Sequence, residues 1–367
     1  MNEDITSADL SMFILKNELI NINDNQLVQL LMNRDHYSFV RGKLSAIEDE
    51  KGNYDFSQVS NIGMVYLYVH NPEKKRKDKT KEDYVRTLLV FLEYVTAIAK
   101  NDIRELSRYD MEVLQTRLEQ KYAKSNTLAK KVIVIHSFLT WCFEEDYLKK
   151  NIARGLRQVK KNKEEIPERD IEESDLKMAI EFYNDNPKVQ SLLLLLASSG
   201  MRLNEVRTPG WSDLYYDRRR KRYYLVTRTK RDKIRHVHIK DYVLEVLIEY
   251  RKRVGVCTEM NEEDNSPFYP NRFGRYYSLS SLSTFLSEHM AAAGLTTIHG
   301  NRVTPHFMRH YFAQMAYSNG APIDWISETY DHSSPKITKD NYLSRQIKKD
   351  HDVSDFVDLA FEPNKTK

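Results

Sequence analysis

Apolar residues recur at helical spacing along most of this sequence. Leu88, Leu89, Phe91, Leu92 and Val95 form one stripe, and Thr80-Lys-Glu-Asp83 ahead of them reads as a capping box that opens the helix. Two more amphipathic segments follow, Asp110–Tyr122 and Asn126–Phe143, the second with Val132, Ile135, Phe138, Leu139 and Phe143 on one face. Residues 73–160 are therefore predicted to form an all-helical domain. Upstream, Leu10–Leu19 and Gln26–Leu31 are helical fragments inside an N-terminal extension, residues 1–72, to which the pattern assigns no role. The stretch from Lys160 to Glu173 is almost wholly charged and contains Pro167, which predicts an exposed linker over 161–173.

From Ser174 the pattern changes. Helices are expected near 174–184 and 188–198, the second closed by Gly200. Tyr223–Thr229 and Ile234–Ile239 are β-branched and aromatic runs flanking the polar Lys230–Lys233, which reads as a strand pair with a charged connection. Helices near 241–253 and 280–293 follow. The second domain, 174–345, is thus expected to be mainly α with a small antiparallel β-sheet. Beyond it, the tail 346–367 carries Val353, Phe356, Val357, Ala360 and Phe361 at helical spacing.

Composition adds exclusions. The chain has 367 residues, 41% hydrophobic and 30% charged, which suits a globular protein of two or three domains. Its longest purely aliphatic run, Leu192–Ala197, is too short to span a bilayer, and the acidic N-terminus does not resemble a signal peptide. Two cysteines without metal-ligand spacing argue against a disulfide scaffold or a zinc–cysteine site and favour the cytoplasm.

The net charge of +4 is unevenly spread. Both ends of the chain are acidic, so the positive excess lies between them. It concentrates in Lys74, Lys75, Arg76, Lys77, Lys79 and Lys81, and again from Arg218 to Arg222 and on through Arg228, Lys230, Arg231, Lys233 and Arg235. Cations this dense repel one another unless a polyanion neutralises them, which points to nucleic acid. The competing reading is a pair of solvated loops.

Three local motifs can carry chemistry. In Ser-Ser-Gly-Met-Arg202-Leu-Asn-Glu205 an Arg and a Glu three apart share a helical face, and the carboxylate fixes where the guanidinium points. His306-Phe-Met-Arg309 sets two donors on one face, suited to a phosphate. His310, next to Arg309, is assigned a structural role, pointing elsewhere on the helix. His332 precedes Tyr342 by ten residues; with 23 tyrosines in the chain, that one alone proves little.

Taken together, the order and spacing of these motifs resemble the tyrosine recombinases, the phage integrase family, over roughly residues 80–345. The family signature is G-x-R-x-x-E, a lysine in a β-hairpin, H-x-x-R, a second His, and a nucleophilic Tyr about ten residues on. The resemblance carries over onto Arg202 with Glu205 as its partner, Lys230 (with Lys233 as fallback), His306, Arg309, His332 and Tyr342. One departure stands out: the usual Leu-Gly-His is Tyr330-Asp331-His332 here.

The resemblance implies a two-domain DNA clamp made of a helical core-binding domain and a catalytic domain. It implies site-specific recombination through a covalent 3′-phosphotyrosine, for integration, excision or resolution of a mobile element or plasmid, with no cofactor and no metal. Tyr342 would attack phosphorus while Arg202 and Arg309 neutralise the non-bridging oxygens; His306 would take the phenol proton and Lys230 would protonate the leaving oxygen. Lys74, Lys75, Arg76, Lys77, Arg228, Arg231 and Lys233 are expected to contact double-stranded DNA. The tail is expected to dock on a neighbouring protomer in a DNA-bound homo-tetramer, with the protein at the nucleoid and off the membrane. The alternative is a catalytically silent DNA-binding regulator of the same fold.

Overall fold

The structure, a computed structural model, describes residues 24–45, 56, 59–162, 165, 168–229, 233–352 and 354. The chain divides between residues 166 and 167 into two units.

The first unit contains α1 (Asp24–Met32), α2 (Tyr37–Ser45), α3 (Asn61–His70), α4 (Asp78–Ala97), α5 (Arg108–Lys121) and α6 (Ser125–Glu144). Helix α3 has no polar face: Met64, Val65, Tyr66, Leu67, Tyr68 and Val69 are all buried. A helix apolar all round belongs at the centre of a core. Its tyrosines satisfy their polar tips there, Tyr66 donating to the Asn33 carbonyl at 2.9 Å and Tyr68 to the Ser137 hydroxyl at 2.8 Å. Val28 and Leu31 of α1, and Val40 and Leu44 of α2, enter the same hydrophobic core as Leu88, Phe91 and Phe138. The expected boundary at residue 72 is therefore not a break in packing. The described part of the N-terminal extension helps build the helical domain, because α4–α6 leave apolar surface that α3 covers. The fragment Leu10–Leu19 lies outside the described residues.

The expected start of α4 needs a correction too. The helix begins at Asp78, so Thr80 lies inside its first turn, and Lys77 at the N-cap makes no side-chain capping bond. The ion pairs Lys81–Asp78 at 2.9 Å and Lys79–Glu82 at 3.2 Å brace that turn instead. A true capping box opens α5, where Ser107 N–H donates to the Asp110 carboxylate and Asp110 N–H donates back to Ser107 Oγ.

The second unit runs α7 (Glu173–Glu181), α8 (Pro187–Ser199), α9 (Leu203–Arg207), β1 (Leu214–Asp217), β2 (Arg222–Arg228), β3 (Ile234–Ile239), α10 (Asp241–Val254), α11 (Leu279–Ala292), α12 (Pro305–Ser318), α13 (Ile323–Thr329), α14 (Pro335–Thr338), a π-helical turn (Lys339–Leu343) and α15 (Ser344–Asp350). The sheet is antiparallel in the order β1-β2-β3, with Leu214 paired to Leu225 and Leu225 to Val237 in one buried row. Strand β1 was not expected from the pattern; four residues are too few to show alternation. The apolar helix α8 lies in this core through Val189, Leu192, Leu193, Leu195 and Leu196. The fold is mainly α with a small antiparallel sheet, as the sequence implied. Among the described residues no helix is long and apolar enough to cross a membrane.

The end of the expected linker is not exposed chain. Ile171 is buried, the Asp170 carbonyl accepts from Ile298 N–H at 3.0 Å, and its carboxylate accepts from Gln314 at 2.5 Å. The tail stripe Val353–Phe361 falls outside the described residues, as do Lys230 and Arg231.

Candidate active site

The site begins where α8 stops. Gly200 takes a left-handed backbone with φ +60°, and a Cβ there would come within 2.6 Å of Phe312 and 2.7 Å of Tyr330. Only glycine satisfies both demands. The chain then turns into α9, with Arg202 at its N-cap and Glu205 in its first turn.

Glu205 is buried, and it organises three guanidinium groups. Its Oε1 accepts from Arg202 Nη1 at 2.6 Å and its Oε2 from Arg235 Nη1 at 2.7 Å, while Arg309 Nη1 stands 3.9 Å from Oε2. The Arg202 backbone N–H also donates to Oε2, at 3.1 Å. Arg202 stays one-third exposed, whereas Arg235 and Arg309 are buried. Buried cations survive only when paired and hydrogen-bonded, and both are: Arg235 also donates to the Ser199 carbonyl at 3.1 Å.

Arg309 is held from every side. It donates Nη1 to the Gly200 carbonyl at 2.5 Å and Nη2 to the Tyr330 carbonyl at 3.2 Å, and its guanidinium lies 3.6 Å over the Tyr330 ring. The Tyr330 hydroxyl donates back to the Arg309 carbonyl. The remaining bond, from Nε, reaches the Tyr342 hydroxyl at 3.4 Å.

Tyr342 sits in the π-helical turn, a local form that recurs at functional sites. Rings surround its phenol: His310 at 4.4 Å between centroids, Tyr330 at 5.2 Å, His332 stacked at 5.6 Å and His306 at 6.2 Å. His332 is fixed by Thr338 Oγ1, 2.8 Å from its Nδ1, which leaves Nε2 as the ring nitrogen for a ligand. His310 Nε2 accepts from Arg169 Nη1 at 2.6 Å, so its proton resides on Nδ1.

All three imidazoles are kept neutral. Burial, then the charges of Arg169, His306 and Arg309, push His310 down to about 2. Crowding by protein, and after it the guanidinium groups of Arg309 and Arg202, push His332 down to about 4. Burial, then Arg169, Arg309 and Arg202 facing it, push His306 down to about 4 as well. A neutral imidazole beside a phenol can accept its proton.

Asp331 occupies the place where the family pattern has glycine, and it adopts the glycine-like backbone, φ +54°. Its carboxylate accepts from Thr229 Oγ1 at 2.9 Å and Lys233 Nζ at 3.2 Å. Partial burial opposes its ionisation, but these two donors prevail and hold the carboxyl below its ordinary value.

The structure thus brings Arg202, Glu205, His306, Arg309, His332 and Tyr342 to one place. Of the residues expected on DNA, Arg228 and Lys233 are exposed, at the end of β2 and just before β3. Lys74, Lys75 and Lys77 are exposed in the first unit. Arg76 has a structural task instead: it donates to the Tyr68 carbonyl at 2.5 Å and lies over the rings of Tyr68 and Tyr84 at 4.3 and 5.0 Å. Sequence reasoning missed Arg235, Arg169 and Thr338. It also misjudged His310, which faces Tyr342 because it follows His306 by one helical turn.

The phage integrase family model matches residues 169–349, and the model for the family's N-terminal SAM-like domain matches residues 68–146. Among known proteins, a tyrosine recombinase XerC of Pediococcus pentosaceus is 25% identical, covering 73% of this chain and 88% of its own length. One from Listeria monocytogenes is 23% identical over 79% of this chain and 94% of its own. In structure the chain is similar to the XerH site-specific recombinase bound to palindromic difH substrate, with TM-score 0.61 and 15% identity over 92% of this chain and 98% of that one. A lambda integrase dimer bound to a COC′ core site gives 0.59 and 14% over 76% and 75%. At such identities the structural likeness speaks for the fold.

Proposed function

The chain belongs to the phage integrase family of tyrosine recombinases, enzymes of site-specific DNA recombination, and from that premise we propose that Tyr342 is its nucleophile on a backbone phosphate of double-stranded DNA. The observation that carries this reading is the Tyr342 hydroxyl 3.4 Å from Arg309 Nε, inside a cluster of cations and neutral imidazoles. The phenol oxygen attacks phosphorus, a 3′-phosphotyrosine forms, and the 5′ oxygen leaves as a hydroxyl.

Arg202 and Arg309 neutralise the non-bridging oxygens as charge builds. Glu205 keeps Arg202 aimed, and the exposed part of Arg202 is what remains for the phosphate. His306, neutral and with its ring centroid 6.2 Å from that of the phenol, accepts its proton; His332 donates from Nε2 to a phosphate oxygen. Lys230, on the β2–β3 connection, protonates the leaving oxygen. The covalent link conserves the phosphodiester energy for rejoining, and the same residues run the reverse step.

Lys74, Lys75, Lys77 and Arg228 neutralise flanking phosphates, while Lys233, expected on DNA, is paired with Asp331 instead. The two units act as a clamp on the duplex, and recombination proceeds in a tetramer in which the tail beyond Asp350 docks on a neighbouring protomer. The enzyme works in the cytoplasm on the nucleoid.

The test is incubation with a nicked suicide duplex built on the site footprinted in DNA beside its own gene. An SDS-stable protein–DNA adduct with a free 5′-hydroxyl is expected. Duplex binding without any adduct would favour the silent regulator.

A further inference from the structure

Asp331 is costly where it stands. At φ +54° a glycine would sit without strain, and a carboxylate close to a phosphate-binding pocket opposes the anion. A side chain retained at such a position is expected to do something that glycine cannot. Here it bridges two segments far apart in sequence. The Asp331 carboxylate accepts from Thr229 Oγ1 and Lys233 Nζ, the residues on either side of the β2–β3 connection. Thr229 is buried, and its N–H donates to the Lys233 carbonyl at 2.9 Å, which closes the base of that connection. On the other flank of Asp331, the His332 N–H donates to the Ser327 carbonyl at 3.1 Å, and the His332 ring stacks on Tyr342.

We infer that Asp331 is a positioning residue that clamps the base of the β2–β3 connection to the turn presenting His332, so that the hairpin and the histidine are placed together. Fixing Thr229 fixes the backbone from which the next residue, Lys230, departs. The pairing also neutralises Asp331 through Lys233, so the clamp adds no net charge to the pocket and assigns Lys233 to the clamp rather than to proton transfer. The catalytic part of this inference rests on the reading of Lys230 as the acid.

The experiment compares Asp331→Gly, which keeps the backbone conformation and removes the carboxylate, with Asp331→Asn, which keeps an acceptor for Thr229 and loses the charge. Each full-length variant is measured in two ways. Amide exchange of the peptide spanning residues 228–235 should speed up in Asp331→Gly and less so in Asp331→Asn. Suicide duplexes are then cleaved with either an ordinary phosphodiester or a 5′-bridging phosphorothiolate, whose sulfur leaves without an acid. Asp331→Gly should cleave the phosphodiester on the order of ten- to a hundredfold more slowly, as expected for a misplaced proton donor, and regain the wild-type rate on the phosphorothiolate.

Unchanged exchange overturns the clamp. An equal loss on both substrates overturns its link to proton transfer and makes Asp331 a support of the His332 turn alone. Lys230→Ala separates the two readings: failure of the phosphorothiolate to rescue it removes Lys230 as the acid, and the exchange measurement then judges the clamp by itself.

Discussion

Two sets of cations occupy this molecule and behave in opposite ways. Around Glu205, the guanidinium groups of Arg202, Arg235 and Arg309 are tied to a buried carboxylate and to backbone carbonyls. Along Lys74–Lys77 and Arg218–Arg222, most side chains stand exposed, with occasional surface pairs such as Arg220–Asp217 at 2.8 Å. In sequence Arg235 looks like a member of the second set, because it sits in a basic run, whereas Arg202 and Arg309 stand apart in their own motifs. The difference is desolvation: a pinned, dry cation acts strongly on one atom, whereas a hydrated one acts weakly on any anion nearby. The first kind suits catalysis, the second suits holding a polyanion.

That contrast can be broken most forcefully at its centre. Replacing the buried carboxylate, Glu205→Ala, leaves buried guanidiniums unpaired and should cost about 3–5 kcal/mol in unfolding free energy. A loss no larger than that of an exposed acidic residue would erase the distinction. Arg309→Lys keeps the charge but not the fork of donors; cleavage should fall on the order of a hundred- to a thousandfold with duplex binding retained. A matching loss of binding would assign Arg309 to the fold.

Acid should expose the pinned region next. The folded-state pKa of His310 lies below its unfolded value, so the unfolded chain binds the extra proton first and stability is lost as pH falls below about 6.5. For this buried ring the loss between pH 7 and pH 5 is about 2 kcal/mol. Denaturation midpoints across that window, with His310→Asn as the control, measure it; an identical slope in the variant contradicts it.

The smallest effect belongs to the exposed set. Neutralising Lys74, Lys75 and Lys77 should reduce the slope of log affinity against log salt by roughly 0.9 for each phosphate that they cease to neutralise. Arg76→Gln, by contrast, should lower the stability of the first unit, since Arg76 packs over Tyr68 and Tyr84. An unchanged slope assigns the lysines to solvent.

What could be read in the sequence was what is local. Arg202 with Glu205, and His306 with Arg309, lie one helical turn apart, and Tyr342 follows His332 closely, so their order and spacing, matched to the family signature, were enough to name them. Arg235 hid in a basic run, although it alternates with Val237 and Ile239, and all three are buried on one face of β3. Charge masked a period-two signal. Arg169 was unreadable for another reason: its partner His310 is remote in sequence, and the charged stretch around Arg169 resembled a linker. Helix α3 lacked a moment because it is buried all round, which is why the N-terminal segment's share in the core did not show. At the place of the family's glycine before His332, Asp331 takes up the left-handed backbone, at some cost, and gains two donors there.

The phenol held against Arg309 is the group proposed to attack DNA. Peptide mapping of the trapped adduct tests this most directly. The DNA-linked peptide should contain Tyr342, and Tyr342→Phe should bind the same duplex yet form no SDS-stable complex. An adduct that persists in Tyr342→Phe, or that maps to another residue, contradicts the account.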